Sequence, residues 1–179
     1  MTILQPLETY DDAAIDDVLD QAFGADRHGR TAYKIRDSAS WLPRFSYAVA
    51  DASGRLIALL QSWPVALLGD DGIETPLIMV GPVAVLPSVQ GEGLGRRLMD
   101  RLIADADAHA DAPLMMIGDP EYYGRFWNFT ADVTGGWHAP GPVEARRLLL
   151  RQVAPIAPLP ALSGMLGPRV TARRSPNSV

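Results

Sequence analysis

Three glycines at alternate positions, followed at once by two arginines, are the residues here whose types and spacing most directly suggest chemistry. They are Gly91, Gly93 and Gly95, followed by Arg96 and Arg97. An apolar, strand-like segment precedes them and an apolar helical stripe follows. N–H groups at the start of a helix lack intrahelical partners, and glycine lets a ligand approach the backbone closely. A strand, a glycine turn and a helix in this order favour binding of a phosphate group.

The spacing of the glycines excludes two common nucleotide-binding motifs. The dinucleotide motif G-x-G-x-x-G needs a third glycine where this chain has Arg96. The phosphate loop of ATP- and GTP-binding proteins needs a lysine directly after its last glycine, and the only lysine here is Lys34. What remains is the pattern Q-x-x-G-x-G, formed by Gln90, Gly93 and Gly95.

The two arginines give an independent reason to expect an anion at this turn. Arg96 and Arg97 fall in the first turn of the predicted helix. A positive charge there opposes the helix dipole by about 0.3–1 kcal/mol. A bound pyrophosphate would turn both unfavourable interactions into favourable ones.

Composition limits the classes of protein to consider. With 179 residues, 47% apolar and 21% charged, the chain is expected to form one globular domain. The net charge of -5 argues against a nucleic-acid partner. Because the chain has no cysteine, disulfides, a thiolate nucleophile and a cysteine-ligated metal site are excluded. The three histidines lack metal-ligand spacing, so no metal is expected. Without a signal-like or membrane-spanning stretch, we expect a cytoplasmic protein with no membrane partner.

The hydrophobic pattern predicts a mixed α/β architecture in a single domain over residues 1–153. A glycine–proline pair, Gly81–Pro82, interrupts the longest apolar strand and predicts a bulge or an end of pairing there. The proline-rich residues 154–179 are expected to be extended or partly disordered. In chain order the predicted elements are a helix at 11–23, a helix within 31–39, strands at 45–51, 56–69 and 76–87, a helix at 94–110, a strand at 113–118, a short helix within 119–129 and a strand within 145–153.

Two blocks of the sequence resemble one family. VAVLPSVQGEGLGRRLMDRLI, residues 83–103, resembles the acyl-CoA-binding core of the GNAT superfamily of N-acetyltransferases, with its [RQ]-x-x-G-x-[GA] loop. IGDPEYYGRF, residues 117–126, is similar to a bacterial subgroup of these proteins. The resemblance covers roughly residues 2–153 and is specific in these blocks only. It implies a GNAT-like α/β fold, in which helices flank a mostly antiparallel sheet with splayed central strands.

The resemblance also implies a coenzyme site for acetyl-CoA. Backbone N–H groups of residues 91–96 would hold the pyrophosphate, and the pantetheine arm would pair with residues 83–85 as a missing strand. Backbone N–H groups of that strand would also polarise the thioester carbonyl. The coenzyme-binding residues so implied are Val83, Ala84, Val85, Gln90, Gly91, Glu92, Gly93, Leu94, Gly95 and Arg96.

For the chemistry, the resemblance implies direct transfer of an acetyl group from acetyl-CoA to a primary amine. Such a transfer needs no enzyme nucleophile, which suits a chain without cysteine. Tyr123 matches the tyrosine that serves as general acid towards the coenzyme A thiolate, with Tyr122 as the adjacent alternative. The chain departs from the family pattern at Trp127 and Asn128, where Gly-Phe is expected. Candidate bases, each better explained as a surface acid, are Glu74, Asp119 and Glu121.

The acceptor is expected to be a small-molecule or peptide amine. Segments within 24–43, the hairpin turns and the chain beyond Gly135 are where specificity would arise, and a homodimer is possible by resemblance. An alternative function is a catalytically silent acyl-CoA-sensing or partner-binding module on the same fold. A nucleic-acid binder ranks last, and it would depend on a cluster of arginines: Arg146, Arg147, Arg151, Arg169, Arg173 and Arg174.

Overall fold

A computed structural model describes residues 1–169 of the chain, which divide into two compact units. The first unit comprises Met1–Gly29, Trp41–Ser62 and Val80–Ala110. The second comprises Arg30–Ser40, Trp63–Met79 and the described chain from Asp111 onwards. Each unit is therefore assembled from segments that are distant in sequence.

Within residues 1–169, four α-helices have the bounds α1 Asp12–Phe23, α2 Thr31–Ile35, α3 Leu94–His109 and α4 Pro120–Trp127. The local sequence explains both ends of α1. The Asp11 side chain accepts a 2.9 Å hydrogen bond from the Ala14 N–H, and Gly24 ends the helix with φ 91°. The predicted helix within residues 31–39 is present as α2, which ends at Ile35.

Eight strands form one mixed sheet among the described residues. Its main path runs β1-β2-β3-β4-β5-β7, and β8 pairs with both β3 and β6. The pairs β4–β5 and β6–β8 are parallel, whereas β1–β2, β2–β3, β3–β8 and β5–β7 are antiparallel. The predicted mixed α/β class is confirmed. The strands are β1 Ile3–Pro6, β2 Tyr47–Ala50, β3 Leu56–Gly69, β4 Glu74–Val85, β5 Leu114–Ile117, β6 Gly136–His138, β7 Leu148–Arg151 and β8 Ser163–Pro168.

Each unit has its own buried apolar side chains. In the first unit, α3 packs against β2 with one apolar face, as the helical spacing predicts. The buried residues of α3 are Leu94, Leu98, Met99, Leu102 and Ala106. The core of the second unit consists of Ile35, Val65, Leu67, Leu77, Met79, Met115, Trp137, Leu148, Leu150 and Leu166.

Strand β8 lies in the proline-rich segment that the sequence predicts as an extended or partly disordered tail. The strand is extended, but it is part of the sheet, with Leu166 only 1% exposed. A Cβ at Gly164 would lie 2.2 Å from the Leu68 carbonyl oxygen, so glycine permits this close pairing. Composition alone therefore underestimates the structure of residues 163–168, while residues 170–179 lie outside the described residues.

Candidate active site

Strand β4 leads towards the predicted coenzyme site. Its pairing with β5 joins Ile78 to Leu114 and Met79 to Met115, and it ends before Gly81, whose φ is 120°. The sequence places a bulge or an end of pairing at this glycine. The Leu86 N–H beyond the end of β4 donates a 2.9 Å hydrogen bond to the carbonyl of Ile57 in β3.

The loop after β4 exposes backbone at the start of α3. Gly91 and Gly93 have φ of 87° and 76°, a conformation that side chains other than glycine rarely adopt. A Cβ at either position would meet no atom within 4 Å, so both glycines face open space. Gly93 is the N-cap of α3, and no side chain caps this helix end. The residues present therefore fit a phosphate group, since an accessible helix start offers N–H donors and a favourable dipole.

The first turn of α3 packs closely on the end of β4. A Cβ at Gly95 would lie 3.7 Å from Val83 Cγ1 and 3.8 Å from Val85 Cγ2, which are ordinary contact distances. Ala84 is buried, whereas Val83 and Val85 are half-buried. All ten predicted coenzyme-binding residues thus lie in the first unit, on the end of β4, the loop and the first turn of α3.

Two polar side chains near the loop, those of Gln90 and Arg97, form hydrogen bonds within the protein. Gln90 Nε2 lies 3.5 Å from the Val85 carbonyl oxygen, at the limit of hydrogen-bond length, and so spans the loop. Arg97 Nη1 donates a 2.8 Å hydrogen bond to Thr2 Oγ1. Arg97 therefore has an intramolecular partner that accounts for the position of its side chain without a bound anion.

Tyr123 lies in the second unit, on α4. The helix starts with Pro120, and Asp119 accepts hydrogen bonds from the N–H groups of Glu121 and Tyr123. Burial raises the pKa of Tyr123, with a further increase from Tyr122 and an opposing effect of the Arg147 guanidinium. The hydroxyl has no hydrogen-bond partner within residues 1–169. Tyr123 is thus a neutral phenol whose hydroxyl proton is not used in a hydrogen bond within the described residues.

Two aromatic residues at or just beyond the departure from the family pattern pack around Tyr123. Its ring centroid lies 5.7 Å from that of Trp127 and 6.3 Å from that of Phe129, and both neighbours are buried. Asn128 adopts a left-handed conformation with φ 59°, which ends α4 and turns Phe129 inwards. Tyr122, by contrast, is 41% exposed. Tyr123 is therefore the more enclosed of the two tyrosines.

Two of the carboxylates considered as bases have structural roles. The hydrogen bond from Glu121, followed by the charges of Arg146 and Arg147, holds the pKa of Asp119 below its usual value. Glu121 itself forms an ion pair with Arg146. Across residues 1–169, no group of three or more His, Cys, Asp or Glu side chains could hold a metal ion.

Two arginines of the supposed basic cluster also have internal partners, whereas Arg173 and Arg174 lie outside the described residues. Arg151 Nε donates to the Trp127 carbonyl at 2.9 Å, and Arg169 Nη2 donates to the Leu77 carbonyl at 2.7 Å. These two guanidinium groups stabilise the second unit, which removes much of the reason to expect a nucleic-acid surface. In the described part of the chain, no helix has both the length and the apolar character needed to cross a membrane.

Sequence reasoning missed Gly118, which lies between β5 and α4. A Cβ there would lie 2.7 Å from Tyr123 Cδ2. The only sequence signal is a glycine directly between an apolar strand and the Asp119–Pro120 helix start. That arrangement indicates a tight turn but not a contact with Tyr123.

Comparison with known proteins agrees with this architecture. A family model described as the acetyltransferase (GNAT) family matches residues 13–119. The YhbS protein of Escherichia coli K12, named as an uncharacterized N-acetyltransferase, is 25% identical over 116 residues, or 65% of this chain. The chain spans 66% of that relative's length, just under two thirds.

Two crystal structures share the fold. The structure of E. coli YhbS in complex with CoA has a TM-score of 0.70 at 20% identity, covering 97% of this chain and 92% of the other. A GNAT family acetyltransferase from Brucella melitensis in complex with acetyl-CoA has a TM-score of 0.56 at 25% identity, covering 86% and 97%. The family model covers more than half of the sequence, and the chain belongs to the GNAT acetyltransferase family.

Proposed function

We propose that this protein transfers an acetyl group from acetyl-CoA to a primary amine by direct attack within a ternary complex. The observation that carries the proposal is the start of α3, which has no side-chain cap and follows two left-handed glycines that face open space. A helix start of this kind suits the pyrophosphate of a coenzyme. The acetyl-CoA complex of the related Brucella protein supports the same choice of donor.

The local geometry of the first unit supports the proposed coenzyme contacts. Backbone N–H groups of residues 91–96 donate to the pyrophosphate, and the absence of side chains at Gly91 and Gly93 keeps that backbone accessible. Residues 83–85 lie outside the two-residue ladder that β4 forms with β5. Their backbone groups are proposed to pair with the pantetheine arm and to polarise the acetyl carbonyl.

Tyr123 is the proposed general acid. Acetyl-CoA supplies an activated acetyl thioester when bound. A phenol with a raised pKa remains protonated at neutral pH, so Tyr123 holds a proton for the departing thiolate. Since Asp119 and Glu121 have structural partners, we assign the base role to neither, and the amine is proposed to lose its proton to solvent water.

Ligand binding and turnover test the proposal separately. Millimolar acetyl-CoA or CoA is expected to raise the melting temperature of the full chain, because a ligand that binds only the folded state stabilises it. A library of primary amines, with CoA release as the readout, is expected to contain at least one acceptor. An unchanged melting temperature at millimolar coenzyme would refute the proposal. Binding without turnover of any amine would instead favour an acyl-CoA-sensing module.

A further inference from the structure

Gly118 lies directly against the ring of Tyr123. An ideal Cβ at Gly118 would be 2.7 Å from Tyr123 Cδ2, 2.9 Å from Tyr123 Cε2 and 3.2 Å from Met116 Cε. Non-bonded carbon atoms settle at about 3.5–4.0 Å. A side chain at position 118 therefore requires the ring to move by about 0.8 Å or more to restore normal contact.

The backbone at position 118 has little freedom to move away from the ring. The Gly118 N–H donates a 3.0 Å hydrogen bond to the Arg147 carbonyl, which continues the antiparallel pairing of Ile117 with Leu148. Displacing Gly118 would break this bond at the end of the β5–β7 ladder. The ring, rather than the strand, is expected to give way to an added methyl group.

The aromatic neighbours limit the ring on its other sides. Trp127 and Phe129 are both buried and lie 5.7 Å and 6.3 Å from the Tyr123 ring, measured between centroids. The interior of a protein is too densely packed to absorb a shift of this size without rearrangement. The position of the ring is thus set by contacts with Trp127 and Phe129, and it is possible only because residue 118 has no side chain.

We propose that Gly118 is a positioning residue for the reaction: its lack of a side chain sets where the Tyr123 hydroxyl lies. This inference rests on the proposed function of Tyr123 as general acid. Gly118 does not have a positive φ, so alanine is sterically compatible with its backbone. Gly118→Ala therefore changes the contact with the ring without imposing backbone strain. Catalytic groups displaced by about 1 Å can lose about a hundredfold in rate.

A double-mutant cycle of melting temperatures tests the contact between Gly118 and Tyr123 without an amine substrate. Gly118→Ala is expected to lower the melting temperature by a few degrees, whereas Gly135→Ala, where a Cβ would meet nothing within 4 Å, should change it little. In a Tyr123→Ala background, which has no ring, Gly118→Ala should cause no further loss. An equal loss in both backgrounds would overturn the proposal, because the alanine would then clash with something other than Tyr123.

A kinetic cycle tests the positioning role, with acetyl-CoA and the best primary amine from the library. Gly118→Ala is expected to lower kcat about tenfold to a hundredfold with an unchanged KM for acetyl-CoA. In a Tyr123→Phe background it should have no further effect. If Tyr123→Phe is impaired while Gly118→Ala retains the original kcat, the positioning role is wrong and the acid assignment stands. A fully active Tyr123→Phe protein would refute both.

Discussion

Arg97, in the first turn of α3, donates a 2.8 Å hydrogen bond from Nη1 to Thr2 Oγ1, 95 residues earlier in the chain. The bond attaches the start of α3 to the segment that leads into β1. The adjacent Arg96 lies in the same turn of α3 and is one of the ten predicted coenzyme-binding residues. The sequence pattern gives both arginines the same expected role. We now expect their single replacements to have different effects on CoA binding.

We predict that Arg96→Gln weakens CoA binding about two- to fivefold, which corresponds to the removal of one charge near an exposed helix end. Arg97→Gln should leave the Kd for CoA within about twofold, because its guanidinium is held by Thr2. Isothermal titration calorimetry with CoA measures both. The difference should shrink at high salt, since exposed charges are screened. Equal losses for the two variants would contradict the separation of roles.

Gly93 allows a second prediction, because its left-handed conformation and its open surroundings can be tested independently. Gly93→Ala should lower the free energy of unfolding by about 1 kcal/mol, since φ of 76° is unfavourable for alanine. Asparagine tolerates this conformation, so Gly93→Asn should be nearly as stable as the original protein. Both variants place a side chain where the coenzyme loop is open, and both should weaken CoA binding.

The matched control for Gly93 is Gly29→Ala, in the same unit. A Cβ at Gly29 meets no atom within 4 Å, and its φ is not positive. This variant should change neither stability nor CoA affinity. Unaltered CoA affinity in Gly93→Asn would show that the loop backbone is not a coenzyme contact.

Much of the scaffold around this loop could be predicted because its signals are local. The strand predicted at residues 56–69 is β3, Leu56–Gly69, and the helix predicted at 94–110 is α3, Leu94–His109. A continuous apolar run bounded by turn residues and an apolar stripe at helical spacing specify these elements without distant partners. The exposed glycine loop between β4 and α3 follows from the same local pattern.

Other features depend on contacts that the sequence pattern cannot supply. Strand β8 pairs with β3, almost a hundred residues earlier in the chain, and glycine at position 164 permits the close approach to Leu68. The contact of Gly118 with Tyr123 depends on how the chain turns at Asp119 into α4. Such pairings are decided by tertiary packing, which overrides composition and propensity.

Tyr123 leads to a third prediction, on turnover. Tyr123→Phe should lower kcat about a hundredfold while leaving CoA affinity unchanged, because a phenylalanine retains the packing but cannot donate a proton. Tyr122→Phe is the matched control, and it should retain nearly full activity. Steady-state CoA release with the best amine measures both. A larger loss in Tyr122→Phe than in Tyr123→Phe would move the acid role to Tyr122.

The pH dependence of the same reaction follows from the raised pKa of Tyr123. A general acid must be protonated, and a phenol with a raised pKa stays protonated beyond the ordinary tyrosine value of about 10. We therefore expect no alkaline loss of kcat up to about pH 10. An alkaline limb at about pH 8 that disappears in Tyr123→Phe would contradict this direction of the pKa change.

A fourth prediction concerns acid stability of the first unit. Asp105 Oδ2 accepts a 2.7 Å hydrogen bond from the Tyr47 hydroxyl and a 2.8 Å bond from Arg101 Nε, and its side chain is 26% exposed. Burial alone would raise the pKa of Asp105, but the bonds from Arg101 and Tyr47 outweigh burial and lower it. Asp105→Asn is therefore expected to cost about 1–3 kcal/mol at neutral pH.

The sign of this pH dependence follows from the lowered pKa. A carboxyl group whose pKa is lower in the folded state adds stability above its unfolded pKa of about 4, and that stability is lost as the pH falls below it. The gap in melting temperature between the original protein and Asp105→Asn should therefore be constant from about pH 7 to pH 5 and shrink towards pH 3. Asp132→Asn, an exposed position without a side-chain partner within residues 1–169, should show no such gap. A gap that widened on acidification would mean that Asp105 stabilises the fold in its protonated form.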